Sequence, residues 1–424
     1  MAESTEKKKY YGRMHGLQKQ LMEQWYQKLN TLYENGGGAV YMMISGNPVE
    51  LVRAFDLEPV YPEINALQLA IRKQALPALL KAEEVGYSTD NCGYVKADVG
   101  MFFLNQATSL GTRLPRPLLI LCNFVGCNTY IKWFEHLAYW MDAPIYMLDI
   151  PFMRLPEPRK EDVAYVVHQL KEVIKILEEY TGKKLDEDRL KETLHYSAKM
   201  EELWSEVKNL SKNIPSPYDA YFDSTTMMGP LYVYRGTQEG VQFFEETVKE
   251  FREKVQNKVG TVPEEKFRVV TEGPPPYPYF RTLRDLLARW SAVAVASTYS
   301  TVGGIWEFGY RHNPEKPLES IALHMLAHNL PNRNYLQRYA QIRRYIDEWK
   351  ADGLIIHAVK SCRLFSAGQG DMREYFTQQM NVPTLYIESD LEDPRYFSEA
   401  QIRNRIDAFF EALEHRKFYR GEKV

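Results

Sequence analysis

Between Leu118 and Met141 the chain reads LLILCNFVGCNTYIKWFEHLAYWM, and few folds accommodate such a stretch. Leu118, Leu119, Ile120 and Leu121 run apolar without alternation, as a strand buried on both faces does. Gly126 permits a turn, Asn128 or Thr129 suits a helix cap, and the residues that follow are amphipathic. A buried strand that turns directly into a helix is the building unit of a parallel α/β sheet. Cys127 then stands at the carboxyl end of a strand and at a helix N-terminus. Open α/β sheets place their ligands there, and a helix N-terminus also favours the thiolate form of cysteine.

The same grammar recurs. Gly353-Leu354-Ile355-Ile356-His357-Ala358-Val359 is a second buried strand, followed by Lys360-Ser361-Cys362 and, after Gly368-Gln369-Gly370, by a helix over about residues 371–379. A third cysteine, Cys92, lies in the polar turn Ser88-Thr89-Asp90-Asn91-Cys92-Gly93-Tyr94, between two helical patterns. Cys122, the fourth, falls within the first strand.

Around these anchors the chain divides into four segments. Residues 1–35 form an N-terminal helical segment, with Trp25, Leu29 and Leu32 at helical spacing and Gly36-Gly37-Gly38 ending it. A first α/β domain over 36–158 holds strands near 39–44, 118–124 and 145–150, with Asn47 and Pro48 opening a helix. A helical insert over 159–265 is marked by Val163, Val166, Val167, Leu170, Ile174 and Leu177 on one face. Gly182 ends that helix, and Asp186 or Asp188 caps the next. A second α/β domain over 266–424 has strands near 267–271, 292–297, 354–359 and 384–388, and a last helix over about 399–413. The expected fold is therefore α/β, with two Rossmann-like parallel-sheet units that resemble loose duplicates, an α-helical insert and an N-terminal helix.

Composition excludes several classes. A net charge of −3 argues against a nucleic-acid surface, and no apolar run reaches the ~18 residues of a membrane span. The N-terminus is polar and lacks a signal-peptide core, with Lys7-Lys8-Lys9 read as a solvated tail, so a cytoplasmic protein is expected. Four cysteines in 424 residues are no disulfide framework.

Three thiolates brought together from separate loops suit an iron–sulfur cluster or a zinc site, although no CxxC spacing is present. The competing reading makes free cysteines small buried hydrophobes. It fits Cys122 in its apolar strand and fits Cys92 poorly. There is no GxxxxGK[ST] loop for ATP. Gly303-Gly304 reads as a plain turn, and His324 and His328 as structural histidines. Glu63, in Tyr61-Pro62-Glu63-Ile64-Asn65, reads as a loop carboxylate that gains an acid–base role only if the loop faces the cysteines.

The cysteine stretches resemble a known family. Cys92-Gly-Tyr-Val-Lys-Ala-Asp-Val-Gly, Gly126-Cys127-Asn-Thr-Tyr-Ile-Lys-Trp-Phe-Glu and Lys360-Ser-Cys362-Arg-Leu-Phe-Ser-Ala-Gly-Gln are similar to the cluster-binding motifs of the 2-hydroxyacyl-CoA dehydratase family. Within it the chain is most similar to the catalytic, non-ATPase subunits of ATP-dependent benzoyl-CoA-type reductases. Pro62-Glu-Ile-Asn-Ala, Pro217-Tyr-Asp-Ala-Tyr-Phe, Glu272-Gly-Pro-Pro and Asp393-Pro-Arg-Tyr-Phe-Ser also match, so the resemblance runs from about residue 40 to 413. It implies that Cys92, Cys127 and Cys362 hold one [4Fe-4S] cluster, that Cys122 is no ligand, and that Glu63 and Ser45 lie near the substrate. It further implies a related cluster-bearing partner subunit, in some relatives joined through a double cubane, and a separate [4Fe-4S] ATPase fed by ferredoxin. The expected chemistry is dearomatisation of an aromatic acyl-CoA to a cyclic dienoyl-CoA. The alternatives are dehydration of an (R)-2-hydroxyacyl-CoA, a double-cubane reductase of small molecules, and a non-catalytic electron relay.

Overall fold

A computed structural model describes residues 12–124, 127–328 and 330–421. The expected Gly126 turn and the Lys7-Lys8-Lys9 tail lie outside the described residues. The N-terminal helix, Arg13–Asn35, buries Met14, Met22, Trp25, Tyr26 and Leu29. It stops at Gly36, whose φ of 72° suits a residue without Cβ and lets its amide bond back to the Leu32 carbonyl.

Two four-stranded parallel sheets follow. The first contains β1 (Ala39–Met42), β2 (Glu58–Val60), β3 (Leu119–Phe124) and β4 (Ile145–Asp149), in the order β2-β1-β3-β4. The second contains β5 (Phe267–Glu272), β6 (Ala292–Ser297), β7 (Gly353–Val359) and β8 (Thr384–Ser389), in the order β6-β5-β7-β8. The two orders are the same pattern, so the units are topological duplicates. In each, the chain leaves the first strand to one side and returns on the other. The reversal points lie between β1 and β3 and between β5 and β7, and ligand crevices open at the carboxyl ends of such strands. β1, β5 and β7 are buried at every position, which explains the apolar runs of β1 and of residues 354–356 in β7, whereas β5 also buries Arg268, paired with Glu265, and Glu272, paired with Arg338.

Helices Lys160–Thr181, Glu187–Leu210, Phe222–Val233 and Gln238–Gln256 form the layer between the two sheets in sequence. Val166, Leu170, Val173 and Leu177 make the buried stripe of the first of these, and Asp186 caps the second by accepting from the Arg189 amide. Phe222–Val233 carries no periodic signal because it is buried almost all round and contains Pro230. The N-terminal helix packs on Phe222–Val233 and Gln238–Gln256. One apolar core joins that helix, the first sheet and these four helices, while the second sheet has an apolar cluster on each face. Among the described residues no helix is long and apolar enough to cross a membrane.

Three local expectations change. Pro48, not Asn47, is the N-cap of helix Val49–Ala54. Asn47 instead accepts from Asn123 Nδ2 at 2.8 Å, a long-range pairing that competes with capping. Glu63 is in no loop: Pro62 occupies the first position of helix Pro62–Ile71, and Glu63 lies buried in that first turn. The helix expected at 371–379 is an α-helix, Gln369–Glu374, continued by a π-helical turn, Tyr375–Gln379.

Candidate functional site

Each of the three cysteines is itself a helix N-cap. Cys92 precedes helix Gly93–Phe103, Cys127 precedes Asn128–Met141, and Cys362 precedes Arg363–Ser366. None of the three sulfurs accepts a capping hydrogen bond, but the amides of the second and third helical residues favour the charged form: Tyr94 and Val95 at Cys92, Thr129 and Tyr130 at Cys127, Leu364 and Phe365 at Cys362. The expected cap at Asn128 or Thr129 is thus displaced by one or two residues. Cys127 takes that position because it keeps an extended backbone, φ −126° and ψ 98°.

All three thiols line one apolar cavity with Ser45, Glu63 and Tyr130. The two reversal points converge on it. The loops leaving β1 and β3 contribute Ser45 and Cys127, and those leaving β5 and β7 contribute Pro274 and Cys362. Cys92 arrives from the helix side, and its loop is tied to the Cys362 loop by the Gly93 amide donating to Ser361 Oγ at 3.2 Å. The Cys92 and Cys127 helices are braced by Trp133 Nε1, which donates to Asp98 Oδ2 at 2.8 Å. Asn123, at the end of β3, donates to the Ser45 and Gly46 carbonyls at 3.0 and 2.8 Å and so fixes the Ser45 loop.

Burial raises the three thiols above their ordinary range, Cys362 to about 12. At Cys92 the neighbouring Cys362 and Cys127 thiolates raise it further. Three sulfurs from separate loops line one apolar space, a soft donor set that a bound cation would hold ionised. That is the chemistry an iron–sulfur cluster requires, so these residues fit the [4Fe-4S] group implied by the motifs. Cys122 differs: it is fully buried in β3, its Sγ lies 3.7 Å from the Asn123 carbonyl, and it does not line the cavity.

Glu63 faces the cysteines, the condition under which it gains an acid–base role. Its Oε1 accepts from the Ile44 amide at 3.1 Å, and no hydrogen bond of ordinary geometry reaches Oε2. Burial pushes its carboxyl up to about 8, offset in part by the Ile44 amide and the Tyr130 hydroxyl and reinforced by Asp98. A carboxyl in this state keeps its proton near neutral pH. Ser45 is buried and donates to the Val302 carbonyl at 2.9 Å, so its hydroxyl oxygen remains an acceptor toward the cavity.

Sequence reasoning missed the aromatic hydroxyls. Tyr94 and Tyr299 line the cavity, and Tyr94 lies 2.9 Å from Tyr277 and 3.2 Å from Tyr299, hydroxyl to hydroxyl. Tyr94 and Tyr130 stand two and three residues after their cysteines, a spacing that returns a side chain to the cap. His324 is structural, as expected: it is buried, with Nε2 2.8 Å from the Gly303 carbonyl. Gly303 and Gly304 press against the Tyr232 and Trp306 rings, so their lack of Cβ serves packing.

Residues 45–413 match the family described as 2-hydroxyglutaryl-CoA dehydratase, D-component. A benzoyl-CoA reductase subunit of Thauera aromatica is 38% identical over 408 residues, 94% of this chain and 94% of that protein. The (R)-2-hydroxyisocaproyl-CoA dehydratase alpha subunit of Clostridioides difficile is 31% identical, covering 88% of this chain and 90% of its own. The (R)-phenyllactyl-CoA dehydratase alpha subunit of Clostridium sporogenes is 29% identical, covering 90% and 91%.

Proposed function

The chain belongs to the 2-hydroxyglutaryl-CoA dehydratase D-component family, and from that premise we propose that it is the iron–sulfur catalytic subunit of an ATP-dependent aromatic acyl-CoA reductase of the benzoyl-CoA type. Its relatives are subunits of acyl-CoA reductases and dehydratases. The observation that carries the finer reading is the cavity itself: three N-cap cysteines, a buried protonated carboxyl and a buried hydroxyl around one apolar space. The higher identity and coverage of the reductase relative favour reduction over dehydration.

In this reading Cys92, Cys127 and Cys362 hold a [4Fe-4S] cluster, which supplies single electrons at low potential to the thioester-conjugated ring. The chain's own residues do the rest. The amides after each cysteine spread negative charge over three helix N-termini. Ile44, Val302, Pro274, Phe365 and Leu391 keep water from the reacting carbonyl. Glu63 holds its proton on a carboxyl oxygen and delivers it once charge has reached the substrate. A related cluster-bearing subunit, a separate [4Fe-4S] ATPase and ferredoxin complete the system in this proposal. A cytoplasmic setting agrees with it.

The second reading is an (R)-2-hydroxyacyl-CoA dehydratase subunit, which the dehydratase alpha subunits among its relatives support. Anaerobic assay of the complete enzyme with an aromatic acyl-CoA and with a 2-hydroxyacyl-CoA separates them. A cyclic dienoyl-CoA from the first substrate is the expected result. Enoyl-CoA from the second, with the first untouched, would replace the proposal with the alternative.

A further inference from the structure

Beside the thiol cavity lies a second cavity of about 230 Å³, and the two share the walls formed by Ile44 and Tyr299. It runs between the N-terminal helix, helix Pro62–Ile71, helix Phe222–Val233 and helix Phe280–Ala288. Exposure gives it a direction. Tyr299 and Tyr232 at one end are buried, whereas Arg281 at the other is exposed and Arg284, one turn along, is half-buried. Gln18 and Gln68 stand among the apolar side chains of its walls.

A coenzyme A thioester has a matching polarity. Its phosphates are anionic, its pantetheine arm is slim and carries two amides, and its acyl end is uncharged. Guanidinium groups bind phosphate through paired charge-assisted hydrogen bonds. The space is smaller than the ~300–1,000 Å³ of pockets that hold whole drug-sized ligands, so it suits an extended arm rather than a folded coenzyme. One acidic group, Asp223, lines it, and a second, Asp285, stands beside Arg284. Asp285 is 3.0 Å from Arg284, and Asp223 is 3.4 Å from His15. Arg284 is paired with Asp285, Asp223 meets the His15 ring, and Arg281 adds a positive charge at the rim.

We infer that this cleft is the entry route of the acyl-CoA, with Arg281 and Arg284 holding the phosphates, Gln18 and Gln68 meeting the amides of the arm, and the acyl carbonyl arriving between Ile44 and Tyr299, beside Glu63 and Ser45. The inference rests on the reading of the chain as an acyl-CoA enzyme and adds which residues recognise the coenzyme. Recognition at the rim is independent of the acyl group, so the cleft fixes the coenzyme and leaves acyl specificity to the inner cavity.

Calorimetry on the complete enzyme with free coenzyme A, which carries no reacting group, reads this directly. The double variant Arg281→Glu, Arg284→Glu should lose at least ~10-fold in affinity for coenzyme A, the equivalent of one charge-assisted bond. Its affinity for pantetheine, which has no phosphates, should be unchanged. Equal coenzyme A affinity in the double variant would overturn the cleft assignment, as would an equal loss for pantetheine. Absence of coenzyme A binding by the wild-type enzyme would instead overturn the acyl-CoA reading on which it rests. Competition by inorganic phosphate as strong as by coenzyme A would reduce the rim to a simple anion site and reject the route.

Discussion

A cysteine at an N-cap has an extended backbone that turns its sulfur toward free amides, and a helix dipole that favours negative charge there. Cys92, Cys127 and Cys362 each stand at an N-cap, Cys127 and Cys362 with extended backbones and Cys92 with φ −47° and ψ 129°. Replacing any one by Ala should therefore abolish iron–sulfur absorption in the anaerobically purified protein, while Cys122→Ala retains it and loses about 1 kcal/mol of stability as a small core truncation. Equal iron loss from Cys122→Ala would undo the division between ligands and packing. The cysteine positions were legible because strand, turn and helix leave local marks. Glu63 was legible as a residue but not as an environment, because the groups that act on its carboxyl, Ile44, Tyr130 and Asp98, lie elsewhere in the sequence. Burial gives that carboxyl a folded pKa of about 8, against about 4.3 in an unfolded chain. Between these values the folded chain holds the extra proton, so this group's contribution to stability falls as pH rises. Glu63→Gln should flatten that part of the urea-midpoint profile between about pH 4.3 and 8. It should also lower turnover at least ~100-fold with cluster content unchanged. Wild-type turnover should decline as pH rises through about 8, where the acid loses its proton. Normal turnover in the variant would remove Glu63 from proton delivery.

At the scale of elements, the cysteines are only as well placed as the helices they cap. Helix Gly93–Phe103 lies so close to helix Ala75–Glu84 that a Cβ on Gly100 would stand 1.8 Å from the Ala78 carbonyl oxygen, a backbone atom that cannot rotate away. Gly100→Ala should push the helices apart, cost about 1–3 kcal/mol and reduce iron content, because Cys92 moves with its helix. Asn334 provides the contrast. It forms a capping box with Gln337, at 3.0 and 3.1 Å, on a helix that bears no cysteine. Asn334→Ala should cost about 1 kcal/mol in denaturant unfolding and leave iron content intact. Iron loss in both variants would mean that general destabilisation, not helix placement, controls the cluster. The amphipathic helices announced themselves through periodicity and the buried strands through short continuous apolar runs. The three-residue strand β2 and the helix Phe222–Val233 did not, since one is too short for a pattern and the other is apolar on nearly every side.

For the whole molecule, the decisive fact is that two sheets of one topology bring both reversal points to a single cavity. Duplication was visible in the sequence only as alternating strands and helices. Strand order depends on how the crossovers between strands run, and no local pattern encodes it. Convergence has an energetic consequence. In the proposed function the polar groups around the cavity serve the sulfurs, a proton and the thioester, and the sequence has no glycine-rich loop of the GxxxxGK[ST] type to cradle a nucleotide's phosphates. Under the proposed function, an electron added to an aromatic thioester goes strongly uphill, and a partner that turns over ATP would supply the driving force. The purified chain alone should therefore show no ATP hydrolysis above background. Reduction of the aromatic acyl-CoA by the complete enzyme should stop when the ATPase is withheld or ATP is replaced by a non-hydrolysable analogue. The measurement is phosphate release and dienoyl-CoA formation in parallel, under anaerobic conditions with reduced ferredoxin. ATP turnover by this polypeptide at homogeneity would place the energy source within the chain and defeat the division of labour. Product formation with the analogue would show that nucleotide binding, without hydrolysis, is enough to move the electron.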